Sequence, residues 1–201
     1  MRVLNVGGGS KSIPIPSHYS GWEHVLLDID PRENPDLVCD ARELTALAAD
    51  QFEAIYCSHN LEHYYQHDCH RVLRGFLHVL RDNGFAEIRV PDLGALMRHV
   101  VETGMDIEEV LYTSPTGPIT PRDVLYGYGV EIERSGHDFY AHKTGFTEKS
   151  LLRMLEQAGF EEALLTESLH AFELHIFAFK ATLLPDQLDL VSAFVHPKPS
   201  V

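Results

Sequence analysis

The chain has 201 residues, 44% of them hydrophobic and 23% charged, with 14 Gly, 11 Pro and 3 Cys; this suits one globular domain and excludes a disordered tail, a coiled coil and a disulfide scaffold. Sixteen Lys and Arg against 30 Asp and Glu leave a net charge of −14, which repels phosphate backbones, so nucleic acid is not the expected partner. Cys39, Cys57 and Cys69 read as buried thiols of a reducing compartment, the apolar start is too short for a signal peptide, and no stretch has membrane-spanning length, so a cytoplasmic protein is expected.

No internal repeat appears, and the chain reads as one domain over 1–180 with a tail over 181–201. Short β-rich runs alternate with helical patterns, which predicts an α/β fold: a doubly wound, mostly parallel sheet with helices on its faces. Strands are expected over 2–6, stopped by Gly7-Gly8-Gly9, then 24–29, 37–39, 53–58 and 85–90. Between the first two, Pro14 and Pro16 leave room only for a loop or a stunted helix. Cys69, Val72, Leu73, Phe76, Leu77 and Leu80 recur at intervals of three and four, an amphipathic helix with Asn83-Gly84 as its stop. Residues 94–145 are too long for one crossover, so an insertion of two or three short helices is expected, one starting near Thr120-Pro121. Thr147 reads as the N-cap of a helix that ends at Gly159. Two last strands, 163–168 and 172–180, follow without a helix between them and should form an antiparallel hairpin, making seven strands in all. One short helix is expected after Pro185, and then fraying.

The glycine run at a strand-to-helix turn lets backbone N–H groups approach a ligand. Asp28, closing the second strand, is placed to accept the hydroxyls of a ribose, whereas Asp30 before Pro31 reads as a turn cap.

In order along the chain, Val3-Leu4-Asn5-Val6-Gly7-Gly8-Gly9, Gly21-Trp22, Leu27-Asp28-Ile29-Asp30-Pro31, Asp40-Ala41 and Ser58-His59-Asn60-Leu61-Glu62-His63 resemble the class I S-adenosylmethionine-dependent methyltransferases, most closely the type 11 domains. Arg71-Val72-Leu73, Val90-Pro91-Asp92-Leu93, His142, Gly145-Phe146-Thr147 and Ala158-Gly159-Phe160 extend the resemblance over residues 2–180. It implies a Rossmann-like seven-stranded sheet and S-adenosylmethionine as cofactor. It further implies Asn5, Gly7, Gly8, Gly9, Asp28, Ile29, Asp40, Ala41, Ser58 and His59 as the residues that hold the cofactor, Asp40-Ala41 at the adenine. The chain departs from the family pattern at Asn5, where an acid is usual, and at Lys11, where a third glycine is usual.

His59-Asn60-Leu61-Glu62-His63 also matches the inverted zinc-peptidase motif H-x-x-E-H. That chemistry needs both imidazoles on one helical turn. Here His59 follows a strand and the helix starts only at or after His63, so no metal is expected. A nicotinamide site would need G-x-G-x-x-G opening a good helix, and a Walker loop needs glycine before Lys11; neither is present. Within the insertion, His137 and His142 flank Asp138 and Tyr140 and are the expected catalytic bases under a lid, with His142 favoured because the resemblance runs through it. The expected acceptor is a small molecule or glycan. A methyltransferase-like binding or scaffold protein that has lost turnover is the alternative, with a zinc hydrolase using His59, Glu62 and His63 behind it.

Overall fold

The computed structural model describes residues 1–168 and 170–192, so the last part of the expected tail lies outside the described residues. Seven strands form one sheet: β1 (Arg2–Val6), β2 (Glu23–Asp28), β3 (Leu37–Val38), β4 (Phe52–Ser58), β5 (Leu80–Pro91), β8 (Glu162–Thr166) and β9 (Glu173–Phe179). Their order is β3-β2-β1-β4-β5-β9-β8. The first five run parallel, while β9 pairs antiparallel with both β5 and β8. This is the expected Rossmann-like sheet with its C-terminal hairpin.

Period-two alternation divides the strand side chains between two cores. On one face Leu4, Val6, Ile55 and Cys57 pack against Cys69, Val72, Leu73 and Phe76 of α1 (Gln66–Val79) and Leu151, Met154 and Leu155 of α5 (Glu148–Ala158). On the other, Val3, Ala54, Phe85, Phe177 and Phe179 pack against Tyr19 and against Val191 of α6 (Pro185–Ser192). No full crossover helix covers that second face: 10–21 holds only a 3-10 turn, Ser17–Tyr19, as the two prolines dictate. Tyr19 and Trp22 meet edge to face there with ring centroids 5.3 Å apart, so both are packing groups.

Two expectations need correction. Asn83-Gly84 is not the helix stop: α1 ends at Val79, and Leu80 turns directly into β5. Leu80 pairs with Phe52 and Phe85 with Ala54, so residues 81–84 bulge out of the ladder; two paired apolar residues win over the local turn signal. The insertion, besides helices α2 (Leu93–Thr103), α3 (Pro121–Tyr126) and α4 (Gly129–Ser135), carries an unexpected two-stranded ribbon of β6 (Tyr112–Ser114) and β7 (Gly117–Ile119). It has a small core of its own, Leu96, Ile119 and Val124. The two Thr caps stand as expected, each in a capping box: Thr120 with Asp123 opens α3, and Thr147 with Ser150 opens α5, which ends on Gly159 at φ +112°.

Candidate functional site

The strand order reverses between β1 and β4, and in a parallel sheet the carboxyl ends of such strands open a crevice. Gly7, at the end of β1, has φ +68° and donates its N–H to the Leu27 carbonyl at 2.8 Å. A Cβ on Gly7 would stand 2.0 Å from Asn60 Nδ2, and one on Gly8 2.2 Å from Asn5 Nδ2, so this loop must be glycine to pass between two amides. Asn5 is buried, its Nδ2 3.2 Å from His24 Nε2. An amide nitrogen only donates, so that imidazole nitrogen accepts; burial and nearby Lys11 lower the His24 pKa, which agrees with a neutral ring.

Asp28 closes β2 and spans two turns: Oδ2 accepts Gly9 N–H and Oδ1 accepts Asp30 N–H, each at 2.9 Å. An ionised carboxylate has about four lone-pair sites, so about two stay free. Asp30 caps the turn Pro31–Glu33 by accepting from Arg32, the expected structural role. Asp40 likewise caps Ala41–Ala46, and its carboxylate is gripped by the Arg42 guanidinium, with the shortest contact 2.6 Å. Burial pushes the Asp40 pKa up, but Arg42 outweighs it and the net direction is down.

Two adjoining cavities occupy the crevice. The first, about 410 Å³, is walled by Gly7, Asp28, Ile29, Asp40 and His59 from the expected set, and also by Arg42, Asn60, His63, Tyr64, Tyr65 and Asp68. The second, about 480 Å³, takes Asn5, Gly7, Gly8, Gly9 and Ser58 of the expected set, with Tyr56 and Ile13. Tyr140 from the insertion and Gly7 belong to both. Ala41 is buried and lines neither cavity; His137 and His142 line neither. His137 is exposed and stacks on Phe139 with centroids 5.2 Å apart. The Tyr64-Tyr65 pair, Arg42 and Asn60 were not singled out from the sequence. The one local signal was two consecutive aromatics ahead of the α1 N-terminus.

The β4–α1 connection carries the charged part of the site. His59 sits at φ +49°, a left-handed conformation rare outside glycine. Its Nε2 is 2.9 Å from Glu173 Oε2 and its Nδ1 3.4 Å from Glu62 Oε1. Packing around the ring opposes a charge there, yet the two carboxylates prevail and hold its pKa well above the ordinary imidazole value. Leu61–His63 is a 3-10 turn, not part of α1, so His59 and His63 share no helical face. The insertion closes back onto this turn: Lys143 N–H donates to the Glu62 carbonyl at 2.8 Å, and His63 Nδ1 lies 3.1 Å from the Ala141 carbonyl. His142 Nδ1 is 2.8 Å from the Val124 carbonyl and must donate to it, which leaves Nε2 facing Glu62 Oε1 at 3.9 Å. Burial lowers the His142 pKa and keeps the ring neutral.

The sequence matches the family described as a methyltransferase domain over residues 1–164. Among solved structures, a SAM-dependent methyltransferase from Archaeoglobus fulgidus is 16% identical with a TM-score of 0.56, covering 89% of this chain and 86% of that one. A SAM-dependent methyltransferase from Thermotoga maritima is 15% identical with a TM-score of 0.57, covering 90% and 82%. The Burkholderia thailandensis 1,6-didemethyltoxoflavin-N1-methyltransferase, whose crystal holds that substrate and S-adenosylhomocysteine, is 17% identical with a TM-score of 0.54, covering 89% and 70%. At these identities the likeness is one of fold. No curated protein matches the chain.

Proposed function

The chain belongs to the methyltransferase-domain family, and from that premise we propose that it transfers the methyl group of S-adenosylmethionine to a small molecule or a glycan. S-adenosylmethionine is the cofactor of this fold, and it supplies a methyl group already activated on a sulfonium. The observation that carries the reading is the pair of cavities meeting at Gly7 and Tyr140 where the strand order reverses. The residues fit the cofactor. The glycine loop has no room for a Cβ at Gly7 or Gly8 between the Asn60 and Asn5 amides, Asp28 keeps lone pairs for ribose hydroxyls, and Asn60 Oδ1 is a buried acceptor without a hydrogen-bond partner at the cavity wall. Asp28 and Ile29 would hold the ribose, Asp40 with Arg42 the adenine edge, and Asn5, Gly7–Gly9, Ser58 and His59 the methionine end.

The chain's own task is then to align donor and acceptor and to keep water out. Residues 94–145 supply Phe139, Tyr140 and Lys143 to the first cavity, which supports their role as a cover. His142 lines neither cavity but adjoins the cavity-lining His63 with ring centroids 5.1 Å apart, so its part is to position that wall; exposed His137 is the weaker candidate.

Titrating S-adenosylhomocysteine into the protein tests the reading. At 100 times its Kd the ligand adds about 2.7 kcal/mol, roughly 5–10 °C in Tm for a domain of this size, while NADH leaves Tm unchanged. No response to S-adenosylhomocysteine would remove the proposal. Binding without turnover across hydroxyl and amine acceptors would instead favour the non-catalytic scaffold.

A further inference from the structure

We propose that Glu62, His63 and His142 form a site for one divalent transition-metal ion, a site that deepens the methyltransferase reading and rests on it only for its purpose. One carboxylate oxygen and one ring nitrogen from each imidazole lie within 4.8 Å of one another. Glu62 is fully buried; His59 Nδ1 faces its Oε1 at 3.4 Å, yet neither carboxylate oxygen accepts a hydrogen bond. The ion pair offsets the charge but leaves lone pairs of a buried carboxylate for a metal ion or a water to complete. His142 is prepared as a ligand: its Nδ1–H is spent on the Val124 carbonyl, so the Nε2 lone pair points toward Glu62. A backbone carbonyl on the far nitrogen is the usual outer support of a metal-bound histidine. His63 has each ring nitrogen 3.1 Å from a backbone carbonyl, Ala141 and His59. A neutral ring can donate to only one of these, and the lone pair of the other nitrogen then faces a carbonyl oxygen, so that nitrogen becomes a ligand once the ring shifts toward Glu62.

Two imidazoles and a carboxylate suit zinc, iron(II), cobalt or nickel better than magnesium or calcium, which prefer all-oxygen sets. Donors on one such ion at about 2.1 Å lie roughly 3–3.6 Å apart, so binding draws the three atoms together by about an ångström. Three protein ligands leave open positions. Because His63 lines the first cavity, the ion would sit at its wall, and its open positions would take water or a hydroxyl or carboxylate oxygen of the acceptor. The site differs from the H-x-x-E-H set, since both ring nitrogens of His59 are spent on carboxylates, Nε2 on Glu173 and Nδ1 on Glu62, and the third ligand is His142 of the insertion.

The test uses the full chain, stripped with a chelator and titrated with Co²⁺ by visible absorption and with Zn²⁺ by calorimetry. One equivalent should bind and raise Tm. Glu62→Gln and His142→Phe should each weaken binding by more than about tenfold, the scale on which even outer supports of a metal site act, whereas His59→Gln should retain it. Both ligand variants should keep the Tm response to S-adenosylhomocysteine, which shows that they fold. Substoichiometric metal in the parent chain, equal binding in both ligand variants, or loss in His59→Gln with retention in His142→Phe would overturn the site. Metal binding without any S-adenosylhomocysteine response would support the site and remove the methyltransferase reading.

Discussion

Replacing Asp28 by alanine separates a cofactor ligand from a turn residue. In the structure its two oxygens already accept from Gly9 and Asp30 N–H at 2.9 Å, and the carboxylate lines the first cavity. If its remaining lone pairs take ribose hydroxyls, the substitution removes charge-assisted bonds worth about 1.5–3 kcal/mol, a roughly ten- to hundredfold rise in the Kd for S-adenosylhomocysteine. The two backbone N–H groups lose their acceptor but lie near solvent, so water replaces it at about 1 kcal/mol each. The free protein should therefore lose roughly 4–8 °C in Tm. Asp30→Ala is the control: Asp30 also borders the first cavity, but its carboxylate is taken up by the Arg32 N–H and guanidinium of its own turn, and its backbone N–H to Asp28 survives the change. Calorimetric titration of both variants reads the difference. Unchanged affinity in Asp28→Ala, or an equal loss in Asp30→Ala, would refute the assignment.

Three further outcomes follow from the geometry. Burial pushes the Glu87 pKa up, but hydrogen bonds from His175 and His18 outweigh it and hold it at about 2. With the folded value depressed from an ordinary one of about 4.5, this group's stabilisation is full above about pH 4.5 and fades as pH falls toward 2; it amounts to about 3 kcal/mol. Urea melts should show a flatter acid limb for Glu87→Gln than for the parent over that window. Gly127 sits at φ +94°, and a Cβ there would lie 2.0 Å from the Tyr140 carbonyl oxygen, so Gly127→Ala should push 138–142 off the first cavity, lower Tm by several degrees and expose that segment to protease. An unchanged cleavage pattern would contradict this. Thr147→Ala removes the N-cap of α5 and should lower stability by about 1 kcal/mol, read as a Tm drop of roughly 2–4 °C.

Much of the sheet was legible because its signals are local. Alternating apolar runs bounded by Gly7, Pro31 and Pro91 marked β1, β2 and β5, and the Thr147 and Gly159 caps bracketed α5 without reference to anything distant. The doubled proline between Gly9 and Gly21 forbade a first crossover helix, and none formed. Asp30 was legible as a turn cap, since a carboxylate two residues before its own N–H partner is a local pattern. Where the sequence reading failed, a longer-range pairing had prevailed over a local preference: Asn83-Gly84 looks like a helix stop, yet the Leu80–Phe52 pair pulls the chain into the sheet first.

The composition and the ordered motifs alone determined the α/β class, the seven strands of the main sheet and the family, because each depends on residues close together in the chain. Tertiary structure alone decided which residues share a wall. Arg42 reaches Asp68 of α1, His59 turns to Glu173 on the antiparallel strand, and His142 folds back from the insertion onto Glu62. No spacing in the sequence encodes these meetings. They arise because the parallel order places the ends of β1 and β4 side by side while the insertion after β5 returns across them, so groups distant in sequence converge on one buried carboxylate.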